Sequence, residues 1–366
     1  MVEFGGHMLP THYGQASIAD SHRWTRQNCS VFDVSHMLQT EITGRNALEY
    51  FESLTTADIA GLHTNSGCLT LFTKESNGGI LDDLIVVRTG DESLFVVSNA
   101  SRRQKDVSIM KERKEHFVNR LGKDVKLRFY TPEERSLVAV QGPKAAAALE
   151  KVMDVKTKDL YFMSSLETTL GGGTKCRVTR CGYTGEDGFE VAVDSSKVAT
   201  LVELLLKDPD VKLAGLGPRD TLRLEAGLCL YGNDIDETTT PVAAGLMWTI
   251  GKRRRKEADF PGAKIILEEH RTRSTPRYRV GLKSLSGPPL RRGTPVFLGD
   301  QQVGTVTSGA PAPSLQATNV AMAYVDKEVK EKKPPLRAKV RNTFVEGVQL
   351  AKMPFVEAKY YTRIKK

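Results

Sequence analysis

The chain has 366 residues, a formal net charge of +9 and five cysteines. That length suggests two or three domains and a core large enough to need neither disulfide nor metal for stability. The cysteines (Cys29, Cys68, Cys176, Cys181 and Cys229) are odd in number and scattered, and the seven histidines form no HxH or HxxxH pair. This argues for a reducing compartment and against metal catalysis.

No window approaches the roughly 18 apolar residues of a spanning helix, so no membrane crossing is expected. The start, MVEFGGHMLP, reads as neither a signal nor a transit peptide. The positive charge suggests an acidic partner or polyanionic ligand. Part of it is local, in Lys252-Arg253-Arg254-Arg255-Lys256 and again from Lys327 to Lys333. The ordinary reading of such runs is a solvated face. No aromatic-studded basic strand or zinc finger accompanies them, so nucleic acid is not an expected partner.

In chain order, Ala16 to Gln27 reads as a helix and Phe32 to Ile42 as a strand. Asn46 to Leu54 reads as a helix, followed by strands at Leu69 to Thr73, Ile80 to Arg88 and Leu94 to Ser98. The last two form a hairpin across Thr89-Gly90-Asp91-Glu92. Arg102 to Leu121 is a charged amphipathic helix. Leu137 to Gln141 is an apolar strand, and Gly142-Pro143 opens the helix Lys144 to Met153. Cys176 to Arg180 and Phe189 to Val193 read as a strand pair. Gly171-Gly172-Gly173, just before it, reads as a turn. Val198 to Leu206 and Pro218 to Leu228 are helical. The mixed order, without steady βαβ alternation, favours α+β. Beyond residue 270 short strands predominate: Arg277 to Lys283, Pro295 to Leu298, Val303 to Ser308, Val320 to Val325, Leu336 to Val340 and Val345 to Lys352. They predict a small β-barrel or sandwich. The expected division is residues 1–256, a linker at 257–275, and a barrel domain at 276–366.

Four stretches carry candidate chemistry. Gly182 to Gly188 places three glycines in seven residues ahead of Glu190, a lone carboxylate at the mouth of a strand; the bland reading is a polar hairpin tip. In Gly78-Gly79-Ile80-Leu81-Asp82-Asp83, alternation sends the two acids to opposite faces. The inward one needs a donor or a cationic substrate, because burying it unpaired is costly. Arg219 and Arg223 lie four apart on one helix. Arg219 sits in the first turn, against the helix dipole, so an anion is expected beside it; the alternative is salt bridges to Asp220 or Glu225. Leu230 to Pro241 is a polar loop without EF-hand spacing. No P-loop, nucleophile elbow or dinucleotide fingerprint is present.

Taken with Val34-Ser35-His36-Met37, Val138-Ala139-Val140-Gln141-Gly142-Pro143, Leu224-Glu225-Ala226-Gly227 and Lys352-Met353-Pro354-Phe355-Val356, these motifs closely resemble the aminomethyltransferase, or glycine cleavage T-protein, family, in its eukaryotic form. The likeness runs from Met1 nearly to Lys366. Members usually carry a further short segment before the part matching Met1 to Phe4. The resemblance implies two mixed lobes and a C-terminal barrel, three domains around a central folate site. It also implies transfer of a methylene from aminomethylated dihydrolipoyl H-protein to tetrahydrofolate, with release of ammonia, by a monomer in the mitochondrial matrix. By position it makes Asp83 the catalytic acid and Glu190, Arg219 and Tyr360 folate contacts. Met37, Leu69 and Asn99 are further cavity-lining residues, and Lys252, Arg253, Arg254 and Arg255 would steer the H-protein. No metal is implied. Two alternatives share the scaffold. One is a folate-dependent demethylase. The other is a folate-binding iron–sulfur assembly factor, whose Lys-Gly-Cys signature is replaced here by Arg180-Cys181-Gly182. Dehydrogenases that fuse the module to a flavin domain need more chain than this.

Overall fold

A computed structural model describes residues 1–171, 173–316 and 318–363; Gly172, within the expected glycine turn, lies outside them. The first lobe is built on a five-stranded antiparallel sheet. Its spatial order is Ser66–Thr73, Ile80–Gly90, Ser93–Ser98, Leu38–Thr43, Lys126–Tyr130. The second lobe has six strands in the order Ser165–Leu170, Thr174–Thr179, Gly188–Asp194, Arg135–Gln141, Cys29–Asp33, Val211–Leu213, with only the last pair parallel. Six further strands close a barrel between Arg277 and Ala351.

Each lobe sheet has helices on its outer face. On the first, Tyr50 and Phe51 from helix Ala47–Glu52 and Met110 from helix Arg103–Glu115 pack on Leu84 and Val86. On the second, Ala148 and Leu149 from Ala145–Glu150 and Leu201 and Leu205 from Val198–Leu206 pack on Val138, Val140 and Val191. Strand alternation then turns the opposite residues inward. Phe32, Val34, Phe95, Val97, Leu137, Ala139 and Ala192 form a core between the two sheets. This facing arrangement creates the central site.

Three local expectations are corrected. Phe32 to Ile42 is not one strand: Cys29–Asp33 belongs to the second sheet and Leu38–Thr43 to the first. Between them the Ser35 N–H bonds Asp33 Oδ1 at 2.9 Å and the Met37 N–H bonds the Val34 carbonyl at 3.0 Å, a turn with neither glycine nor proline to announce it. The helix expected through Leu121 ends at Glu115 and continues as a wider five-residue turn, His116–Arg120. Residues 257–275 are not a simple linker. They include helix Ala263–Thr272, whose Ile266 is fully buried with Val242, Ile250 and Phe260.

Helix Leu216–Glu225 ties the second lobe to the barrel and to the tail. Arg223, 2% exposed, bonds Asp220 at 2.8 Å, Asp234 at 2.6 Å and barrel residue Ser308 at 2.9 Å. Glu225 accepts from His22 Nε2 and Arg26 Nη2, both at 3.0 Å, and from the Ser314 backbone N–H at 3.0 Å. Burial alone would raise the Glu225 carboxyl, but hydrogen bonds from His22 and Ser314 outweigh it and hold the group at about 2. Burial also keeps His22 below its ordinary value.

A depressed carboxyl stabilises the fold above its unfolded value and loses that contribution as pH falls towards its folded value. Glu225→Gln should therefore cost about 3–5 kcal/mol at pH 7 by leaving Arg26 incompletely paired. The deficit relative to the native chain should shrink as pH is lowered from 4.5 towards 2, a trend that urea titrations at several pH values would follow.

Candidate active site

The strand Ile80–Gly90 positions the first acid. A Cβ on Gly79 would lie 1.9 Å from the Glu237 carbonyl, so only glycine lets the turn approach the loop 230–241. The Ile80 N–H then bonds the Asp236 and Thr239 carbonyls at 3.2 and 2.9 Å. That polar loop clamps the start of the acid-bearing strand. From there Asp82, Leu84 and Val86 face the outer core, and Asp83, Ile85 and Val87 face inward. Asp83 is partly exposed whereas Asp82 is fully buried. Asn99 Nδ2 donates to Asp83 Oδ1 and to Asp82 Oδ1, both at 2.9 Å. Burial, followed by the neighbouring Asp82, pushes the Asp83 carboxyl up to about 7.

The facing hairpin positions the second acid. Its loop is wrapped around the fully buried side chain of Gln141. Gln141 Nε2 donates to the Cys181 carbonyl at 3.0 Å, and the Thr184 hydroxyl donates to Gln141 Oε1 at 2.8 Å. A Cβ on Gly182 would sit 2.0 Å from Gln141 Oε1, which accounts for that glycine. Arg180 fastens the base of the loop to Asp187. The strand Gly188–Asp194 pairs Glu190 with Thr179 and points it into a narrow hollow between the two sheets. Arg177, Thr179, Cys181 and Ala192 line it on this side, and Ile85, Val87, Phe95 and Val97 on the other. Burial raises the Glu190 carboxyl, opposed by the charge of Arg219.

Arg219 differs from Arg223 four residues on. Its guanidinium lies over the Tyr183 ring, 4.8 Å from the centroid, and its Nη1 is buried without a hydrogen-bond partner among the described residues. The Tyr183 hydroxyl donates to the Cys229 carbonyl. A buried cation near a carboxylate it does not bond is a site prepared for a polar ligand.

The remaining expected residues are placed as follows. Met37 packs against the inter-sheet core, and Leu69 sits across from Ile85 on the neighbouring strand. Tyr360 stacks on Phe162 with centroids 4.2 Å apart, and its nearest charges include Arg26 and Glu186, on the outer side of the glycine loop. The basic run forms a short helix, Lys252–Glu257, and most of it is internally engaged. Arg253 pairs with Glu52, with Asp58 at 2.8 Å and with Glu257. Arg254 is buried and bonds the Glu52 and Thr55 carbonyls at 2.7 and 3.2 Å as well as Asp259. Arg255 bonds the Ile250 carbonyl at 3.0 Å and that of Met247. Arg254 is therefore corrected from a partner-facing residue to a structural one, because its guanidinium pins this helix to the first lobe. Lys252 is exposed. Gln141, Tyr183 and Asp106 were not singled out beforehand. Tyr183, an aromatic inside the glycine run, carried a readable signal; Asp106 is one acid among many in a charged helix. Among the described residues no group of three His, Cys, Asp or Glu side chains is placed to hold a metal.

Against known proteins, the GCVT N-terminal domain profile matches residues 1–254, and that of the glycine cleavage T-protein C-terminal barrel domain matches residues 277–357. The chain belongs to the glycine cleavage T-protein family. It is 49% identical to the mitochondrial aminomethyltransferase of Homo sapiens over 363 residues, covering 99% of this chain and 88% of that protein. With that of Gallus gallus the identity is 48%, covering 99% and 90%. The crystal structure of the glycine cleavage system aminomethyltransferase T from Bartonella henselae superposes with a TM-score of 0.90 at 35% identity, covering 99% of this chain and 95% of the other. The chain is thus an aminomethyltransferase of glycine cleavage, and its relatives place it in the mitochondrion.

The reassignment of the basic helix can be checked by thermal unfolding. Arg254→Ala should destabilise by about 1–3 kcal/mol, because it leaves the Glu52 and Thr55 carbonyls without their donor. Lys252→Ala should stay within about 0.5 kcal/mol of the native chain.

Proposed function

We propose that the hollow binds the reduced pterin of tetrahydrofolate, with Glu190 and Arg219 gripping its polar edge and Asp83 facing the reacting nitrogens from the opposite sheet. The observation that carries this reading is a chain of neighbours across the two sheets: Glu190 lies within charge range of Arg219, Arg219 lies over the Tyr183 ring, and Tyr183 lies within charge range of Asp83. Glu190 is an acceptor for the N–H donors of an aminopyrimidine, and the partnerless Arg219 Nη1 is a donor for a carbonyl or carboxylate. Asn99 holds Asp83 by its side chain, and Tyr183 supports Arg219 from below.

The reaction is a group transfer. The carbon–nitrogen bond of the aminomethyl group and its carbon–sulfur bond to the lipoyl arm both break, and two bonds to the folate nitrogens form. The two protons of the folate N–H groups leave on ammonia and on the thiol. Between these steps the methylene carries positive charge. A carboxylate at Asp83 stabilises that charge in a site where few waters compete. Holding both reactants in one orientation removes much of the remaining entropic barrier. The lipoylated carrier would approach past the exposed Lys252, with Arg253 and Arg255 partly accessible beside it. If so, Lys252→Ala should weaken the salt dependence of turnover.

The test supplies aminomethylated H-protein and tetrahydrofolate and measures ammonia and 5,10-methylenetetrahydrofolate. Asp83→Asn should lower kcat by about 10²-fold or more. In the native chain kcat should rise through a pH of about 7 as Asp83 ionises, and this limb should vanish in the variant. A carboxyl raised from 3.8 to about 7 costs the fold stability as pH rises through that window, so Asp83→Asn should also melt higher than the native chain at pH 8. Near-normal turnover in the variant would refute the role given to Asp83.

Glu190→Ala should act on binding instead. KM for tetrahydrofolate should rise at least tenfold, the equivalent of one or more charge-assisted hydrogen bonds. A changed kcat at unchanged KM would move Glu190 out of the binding role.

A further inference from the structure

Behind Asp83 the strand turns a second acid into the core. Asp82 and Asp106, the latter on helix Arg103–Glu115, are both fully buried, and their carboxyls are immediate neighbours. Among the described residues neither oxygen of Asp106 has a donor bonded to it; the groups beside it are the Ser98 hydroxyl and the Asp82 carboxyl. Arg102 is the cation whose charge reaches Asp106, but its guanidinium bonds Glu237 at 3.0 Å. Two carboxylates touching in a dry core, with no cation bonded to either, cannot both be ionised.

On its other side Asp82 meets Asn99. The Asn99 backbone N–H donates to Asp82 Oδ2 at 3.1 Å, and Nδ2 donates to Oδ1 at 2.9 Å. The same Nδ2 lies 2.9 Å from Asp83 Oδ1 and 3.0 Å from the Asp83 carbonyl. The amide is therefore gripped between the buried acid and the acid of the hollow. We propose that Asp82 and Asp106 form a positioning pair that shares one buried proton, locks Asn99, and through it fixes the orientation and local charge of Asp83.

The proposal rests on the reading of Asp83 as the group facing the reacting centre. Burial pushes both Asp82 and Asp106 above the usual carboxylate range, so the pair keeps one proton and shares one negative charge. Asp82, the acid beside Asp83 in sequence, thus carries only part of that charge. The other ionisable groups around the pair are Arg102, Tyr231 and Asp83 itself. Those around Asp83 are Asp82, Asp234, Tyr183 and Cys229.

Asp106→Asn offers Asp82 an amide donor and removes its proton acceptor, so the negative charge moves onto Asp82. The limb of kcat against pH that reports Asp83 should then shift upward by about one pH unit, the effect of a unit charge brought close in a medium of intermediate dielectric. Asp82→Asn, neutral at every pH, should not shift it upward. A loss of rate in Asp106→Asn with the limb unmoved would reduce the pair to a packing feature and overturn the proposal. Infrared spectroscopy supplies a second readout that needs no turnover. The Asp83→Asn protein at pH 7 should retain a protonated-carboxyl band that disappears when Asp82→Asn is added. Absence of that band in Asp83→Asn would overturn the shared proton, even where Asp106→Asn fails to fold. If Asp83→Asn instead kept near-normal turnover while the band persisted, the reading of Asp83 would fall and the shared proton would stand.

Discussion

Adjacent residues of a strand must point to opposite faces, and at Asp82-Asp83 this constraint divides one pair of acids between two environments. Asp83 turns to the inter-sheet side and Asp82 to the helix-covered core, joined by the single amide of Asn99. A one-residue slip of the Ile80 strand would turn Asp83 into the helix-covered core and away from the inter-sheet side. The features around the strand all oppose such a slip. Gly79 admits the Glu237 carbonyl, the Ile80 N–H is held by two carbonyls, and Ser93–Ser98 pairs along its far edge.

The second organising element is helix Leu216–Glu225, whose charged residues serve three destinations. Arg219 goes to Tyr183 and the neighbourhood of Glu190, Arg223 to Asp234 and the barrel residue Ser308, and Glu225 to His22, Arg26 and the backbone N–H of Ser314. The barrel therefore contributes to the site indirectly, by holding the helix that carries Arg219. Buried charges of this kind are costly unless fully paired, and Arg223 and Glu225 are. The incompletely satisfied one is Arg219, where a ligand is expected.

Most of the architecture was readable because its elements carry strong periodicity. The barrel strands, the Ile80 hairpin and the Val198 helix fall within a few residues of their expected bounds. The split at Val34–Met37 was not readable, since apolar residues continue on both sides and the turn is made by Asp33 and Ser35 hydrogen bonds. In the site, the glycine clusters and lone acids stood out as local departures from pattern. The buried partners did not: Asp106 acquires meaning only when its helix is laid on the sheet, and Gln141 only when the hairpin loop closes over it. The basic run shows the opposite error, a conspicuous sequence feature whose arginines are mostly satisfied by the protein's own carbonyls and carboxylates.

The loop around Gln141 also bears on how the family can diverge. Cβ atoms at Gly182 and Gly188 would lie 2.0 and 2.5 Å from the Gln141 amide. Gln141 lies more than forty residues before the two glycines in the chain, yet all three share one small volume. No enlargement at 182 or 188 can survive alone; it must arrive together with a smaller residue at 141, which would itself abandon the two hydrogen bonds shaping the loop. Drift through single substitutions is closed here, and the three sites should be inherited as a block.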